Sequence, residues 1–148
     1  MTFIPKDKDF ETKVKDSFSR QKFMGLINAK LFKVEPGFCE IHVPYDVNLT
    51  QQHSFFHAGI VGAIADNAAG YAAFSLMGEN SSILTVEFKL NLISPADGEL
   101  LIGKSQVLKY GRTLTICRSD LFIVKDGVEK LCAASQSTLI ELPNKSDD

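Results

Sequence analysis

The chain has 148 residues, 45% of them hydrophobic and 23% charged, with a formal net charge of −2. That length bounds one domain with a core of its own, and scattered charge of that balance gives no basic footprint for nucleic acid. Cys39, Cys117 and Cys132 lie far apart in apolar, strand-like runs without CxxC spacing, so they read as buried reduced thiols, not as a disulfide or zinc framework.

The first residues, Thr2-Phe3-Ile4-Pro5-Lys6-Asp7-Lys8, lack the apolar run of a signal peptide, and the cytoplasm is the expected compartment. Residues 8–24 read as a helix, with Phe10, Val14, Phe18 and Phe23 as a modest apolar stripe. A hairpin follows: residues 29–34, a Glu35-Pro36-Gly37 turn, then residues 38–43 with Cys39, Ile41 and Val43 alternating against Glu40 and His42. Pro44 ends that strand, and residues 45–56 read as a loop.

Residues 57–77 read as one long apolar helix, close to the length that spans a bilayer. Asp66 and Asn67 at its centre, and glycines at 59, 62 and 70, argue against a membrane span. Beyond it, Leu84, Val86, Phe88, Leu90 and Leu92 alternate with Thr85, Glu87, Lys89 and Asn91 as a strand of period two. Ser94-Pro95-Ala96-Asp97-Gly98 breaks the pattern. Strands are expected over residues 100–110, 114–124 and 129–141, the last two joined at Asp126-Gly127, before a flexible polar tail at 143–148.

The order is helix, two strands, long helix, four strands. It suits a single α+β domain over residues 1–148, with 1–24 as helical lead-in and a long antiparallel sheet wrapped around one buried helix. Hairpins are expected between all strand neighbours except the two that flank the helix. Two such sheets joined edge to edge would remove an exposed edge strand, which points to a homo-oligomer.

Asp66 is the residue that demands an explanation. At about 100° per residue it shares a helix face with Gly59, Gly62, Ala63, Ala69, Gly70 and Ala73, while Ile60, Val61, Ile64 and Tyr71 fall on the far side. A carboxylate inside an apolar helix is costly unless it is paired or used. A stripped face around a single acid suits a groove or a close-packed partner chain with a working carboxylate. No Gly-x-Ser-x-Gly elbow, phosphate loop or dinucleotide fingerprint occurs, and His53 and His57 have no acid or thiol at metal-ligand spacing apart from Asp66.

Three segments carry a family resemblance: His57-Ala58-Gly59 opening the helix that bears Asp66, the strand from Thr85 to Ala96, and the turn Lys109-Tyr110-Gly111-Arg112-Thr113. In this order they resemble the hotdog-fold acyl-CoA thioesterases of the PaaI-like branch over roughly residues 20–142. The resemblance implies a hotdog fold that acts on acyl-CoA as a dimer or a dimer of dimers. No cofactor is needed, because coenzyme A belongs to the substrate. It implies Asp66 as general base or nucleophile, and the Ala58 N–H as the group that polarises the thioester carbonyl. Helix physics agrees with the latter, since the first N–H groups of a helix are unpaired and sit at the positive end of its dipole. By the same resemblance Thr85 orients water or the carboxylate, and Lys109 and Arg112 meet the phosphates of coenzyme A. This chain departs from the family where Ala58 replaces a glycine and Gln51 replaces an asparagine, with Gln52 as an equally near amide. His57 polarises, orients or caps. Phe55, Phe56 and the Gly59 face are expected to wall the acyl groove. Two other readings remain: an acyl-thioester hydratase or dehydratase using His57 or His53 with Asp66, and a non-catalytic acyl-CoA-binding module.

Overall fold

A computed structural model describes residues 2–147. Met1 and Asp148, the outermost residues of the expected domain 1–148 and tail 143–148, lie outside the described residues. The elements are α1 (Phe10–Arg20), α2 (Lys22–Leu26), β1 (Lys30–Glu35), β2 (Phe38–Pro44), a 3-10 turn at Val47–Leu49, α3 (Ala58–Phe74), β3 (Ser81–Leu92), β4 (Leu100–Tyr110), β5 (Leu114–Lys125) and β6 (Val128–Pro143). The strands form one antiparallel sheet in the order β1-β2-β4-β5-β6-β3, with α3 packed on its inner face. This is the expected hotdog arrangement.

Alternation drives the burial. In β5, Thr115, Cys117, Ser119, Leu121 and Ile123 are buried, and the residues between them reach the surface or its margin. The inner face is deliberately low under α3. A β-carbon at Gly103 would lie 2.5 Å from Ile64, so only glycine lets the helix settle there. Two side chains then tie the helix to the sheet: Ser119 Oγ donates to the Ala65 carbonyl at 2.8 Å, and Cys117 Sγ to the Ala69 carbonyl at 3.5 Å. These bonds fix the rotation of α3, and with it the direction of Asp66.

The structure departs from the sequence reading in two places. The first helix is broken at Gln21, whose extended backbone (φ −72°, ψ 104°) separates α1 from α2. The break turns the Gln21 side chain toward α3, where its Nε2 donates to the Tyr71 hydroxyl at 2.7 Å. A tertiary contact overrides the local helical pattern. The second departure is that β3 does not form a hairpin with β4; it pairs with β6, and β5 and β6 lie between them. Residues 93–99 cross the strand ends, held by Ile93 N–H to the Cys132 carbonyl (2.8 Å) and Glu99 N–H to the Val124 carbonyl (2.8 Å). Pro95 and Gly98 announce a break in the strand, but strand partners are chosen by non-local complementarity that turn residues do not encode.

As a consequence, β3 is an edge strand, and several of its apolar side chains stay uncovered by the described residues of one chain. Leu84, Val86 and Leu92 are more than half exposed, and Phe88 is 45% exposed. A long, exposed, apolar edge calls for a partner.

The N-terminal segment is clamped to the sheet through Glu141, which accepts from Ser81 Oγ (2.8 Å), Tyr110 Oη (3.0 Å) and Lys6 Nζ (3.1 Å). Burial opposes its charge, but those hydrogen bonds outweigh burial and hold the carboxyl below its usual value. A depressed folded-state pKa gives stability that is present above the unfolded value and lost as pH falls through the folded one. Glu141→Gln is therefore expected to lower stability by about 1 kcal/mol at neutral pH. The gap to wild type, measured by denaturant unfolding, should narrow below about pH 4.

Candidate active site

His57 sets the start of α3. Its backbone is extended (ψ 139°), and its ring Nδ1 accepts the Gly59 N–H at 2.8 Å, so it acts as a side-chain cap. This bond requires an unprotonated Nδ1 and leaves the ring proton on Nε2. Gly59 permits the approach: a β-carbon there would already sit 3.0 Å from Nδ1. The Ile60 and Val61 N–H groups both bond to the His57 carbonyl, at 2.9 and 3.2 Å. The Ala58 N–H is thus the first-turn donor with no partner among the described residues. It stands at the positive end of a 17-residue helix.

A cavity of about 440 Å³ opens at this helix end, lined by Gln51, Phe55, Phe56, Ala58, Val61 and Cys132, with residues 92–96 as its outer wall. Phe56 is buried and Phe55 half-buried, and both line this cavity, although Phe56 also belongs to the core. The Oε1 of Gln51 accepts the His53 N–H, which commits that oxygen and leaves the NH₂ end of the amide for a ligand. Gln52 is exposed and does not line the cavity. Burial pushes the Cys132 thiol up to about 11, so it stays protonated near neutral pH and is no nucleophile.

Asp66 lies elsewhere. Eight residues along α3 from Ala58, it is about 12 Å farther down the helix axis, in a second cavity of about 350 Å³. Thr85 Oγ1 donates to Asp66 Oδ1 at 2.7 Å. A β-bulge makes that contact. The pairing of β3 with β6 slips between Thr85 and Glu87, which reverses the alternation. Phe88 and Leu90 face α3 at Gly62, and beyond the bulge Thr85 faces α3 as well. Asp66 Oδ2 has no hydrogen-bond partner among the described residues, and Asp66 lines the cavity. Loss of a hydrogen bond to a charged group costs about 1.5–3 kcal/mol. Thr85→Val is therefore expected to reduce turnover about ten-fold or more, and Thr85→Ser to restore most of it, read as initial rates on one thioester.

The structure keeps the remaining expected residues apart from these cavities. Gly59 is exposed, its N–H spent on His57. Lys109 and Arg112 sit exposed at the β4–β5 hairpin and line neither cavity. Tyr71 and Gln21 line the Asp66 cavity and were not expected there. Helical spacing set Tyr71 on the far side from Asp66, and only its long side chain brings it to the cavity margin; nothing local marks Gln21, because only the break after α1 aims it inward. Among the described residues no group of three or more His, Cys, Asp or Glu is arranged to hold a metal ion, and no helix is long and apolar enough to cross a membrane.

One helix thus carries a cavity with an unspent N–H at its start and, farther along, a carboxylate oriented by a strand hydroxyl. A model of the Thioesterase superfamily matches residues 53–130, which include both cavities' helix and the strand carrying Thr85. The chain belongs to this superfamily. A thioesterase family protein from Silicibacter pomeroyi is 46% identical, covers 90% of this chain and 98% of its own, and superposes with a TM-score of 0.89. The PaaI protein of the phenylacetic acid degradation operon of E. coli shares the fold (TM-score 0.83, 13% identity, 95% of this chain and 99% of its own). So does a thioesterase from Haemophilus influenzae (TM-score 0.78, 17% identity, 97% and 94%). Hydrolysis of thioesters is the general activity that membership of this superfamily supports.

Proposed function

We propose that this thioesterase hydrolyses acyl-CoA at a site completed by a second copy of the chain. One observation carries the reading: the unspent Ala58 N–H and the oriented Asp66 carboxylate open into separate cavities about 12 Å apart on one helix. No single carbonyl can touch both within one chain. A two-fold partner docked along the exposed apolar edge of β3 would bring the helix start of one copy against the acid of the other.

In that site the thioester oxygen takes the Ala58 N–H, with the Gln51 NH₂ as second donor. Asp66 Oδ2 removes a proton from water as the water oxygen bonds to the thioester carbon. Negative charge gathers on the former carbonyl oxygen, where the helix end stabilises it. The carbon–sulfur bond then breaks, and the departing thiolate takes the proton held by Asp66, giving free acid and coenzyme A. If Asp66 attacks directly instead, a mixed anhydride forms and water releases it. Single turnover in labelled water separates the two, since only the second path puts label into the Asp66 carboxylate.

The hydratase reading needs a histidine as acid or base beside Asp66. The His57 Nδ1 is committed to the helix cap, and His53 is exposed on the preceding loop. Both count against it. The test is release of free thiol, followed with a disulfide dye, over acyl-CoAs of rising chain length and two aryl-CoAs. Thiol release supports the thioesterase reading. An absorbance change with enoyl-CoA and no thiol would replace it with the hydratase.

A further inference from the structure

Beyond the carboxylate the Asp66 cavity is lined mainly by hydrogen-bonding groups, with Ile83 and Leu84 of β3 as its apolar side. From the carboxylate, α3 presents Asn67, Gly70 and Tyr71, Ser17 of α1 and Gln21 just after it stand opposite, and Asp147, paired with Arg20, adds a second carboxylate to the lining. Gly70 is the floor: a β-carbon there would meet nothing within 4 Å. Glycine inside a helix is less stable than alanine, and no close neighbour demands it here; the open space above it is what glycine preserves.

The polar groups of this wall are not all spent. Tyr71 Oη accepts from Gln21 Nε2 at 2.7 Å and shares one bond with Ser17 Oγ at 3.2 Å. Two hydroxyls carry two hydrogens, and that bond uses one, so the other has no acceptor among the described residues. Asn67 Oδ1 is buried and also has no partner among them. A leftover donor and a leftover acceptor thus line one cavity, whereas the cavity at the helix start is walled mainly by Phe55, Phe56 and Val61. Buried polar groups without partners are costly, and a ligand that supplies those partners gains what they lack.

We propose that this cavity is the acyl subsite, and that Tyr71, with Gln21 and Ser17, selects compact acyl groups bearing a hydroxyl or carbonyl at their far end. The inference rests on the reading of Asp66 given above. A carbonyl carbon beside Asp66 has two arms. The coenzyme arm, a phosphorylated nucleotide on a long tail, must lead to solvent. A space of about 350 Å³ holds about a dozen water-sized atoms, which suits a short acyl or single-ring group. The hydroxyl of such a group can accept the leftover hydrogen and donate its own to Asn67.

The test is kcat/KM for matched pairs, pentanoyl-CoA against 5-hydroxypentanoyl-CoA and hexanoyl-CoA against 6-hydroxyhexanoyl-CoA. Wild type should prefer the hydroxylated member about ten-fold, the scale of one neutral hydrogen bond. Tyr71→Phe should bring that ratio close to one. Gly70→Ala should raise the melting temperature while moving the optimum to shorter acyl groups, a combination that a purely structural role cannot produce. A wild type that does not discriminate, or a folded Tyr71→Phe that still does, overturns the proposal. Absence of thiol release from every acyl-CoA would instead be the failure of the thioesterase reading. In that event calorimetric binding of each pair to Asp66→Asn decides the subsite: tighter binding of the hydroxylated member supports it, and equal affinity overturns it.

Discussion

Asp66→Asn is expected to bind acyl-CoA as wild type does and to lose turnover by about 100- to 10,000-fold, the range supplied by a positioned general base. The substitution keeps the size of the side chain and an oxygen that can accept the Thr85 hydroxyl, now 2.7 Å from Asp66 Oδ1. What it removes is the capacity of the other oxygen to take a proton or to attack. Because Asp66 is only half-buried, with a cavity beside it, the variant leaves no stranded charge and should fold normally. The measurement is thiol release under saturation, paired with calorimetric binding. Unchanged turnover would remove Asp66 from the mechanism, and lost binding would make its role one of substrate contact.

Ala58→Pro is the complementary deletion, and it removes an N–H without removing a side chain of any consequence. Ala58 is the first helical residue, where proline is well tolerated because its missing N–H is one of the unpaired ones. His57 already has the extended backbone that a residue before proline needs (φ −61°, ψ 139°). The helix should survive while the carbonyl loses its donor, at a cost of about 100- to 1000-fold in kcat. Co-expression of Ala58→Pro with Asp66→Asn then tests the shared site. In a two-fold dimer each mixed pair holds one site with both groups intact and one with neither. Random pairing should therefore restore about one quarter of wild-type activity. If both groups served the same carbonyl within one chain, the mixture would stay as inactive as its parents. Restoration can come only from a site built by two chains.

The order of elements, the length of α3 and the place of Asp66 within it were legible because they are local. The period of two along Leu84 to Leu92 and the turn at Asp126-Gly127 are written in residue types whose backbone and burial preferences act over a few positions. His57 was legible as a residue at a loop-to-helix junction. Its role as a cap was not, because that depends on whether Nδ1 reaches the Gly59 N–H.

What the sequence by itself determined was an α+β chain with one apolar helix, an acid set among small residues, and a polar helix start eight residues before it. The tertiary structure alone decided that β3 lies beside β6, since strand pairing is a choice among distant edges. It alone turned Thr85 toward Asp66, because strict alternation puts Thr85 on the opposite face from Phe88 and Leu90, and the bulge reverses that. It alone broke the first helix at Gln21 and aimed that amide at Tyr71. The separation of the Ala58 donor from Asp66 follows from helix geometry, at 1.5 Å of rise per residue. That both open into cavities, beside an edge strand whose Leu84, Val86 and Leu92 are more than half exposed, is a property of the folded surface. Short-range preferences choose the elements; only packing chooses which of their faces meet.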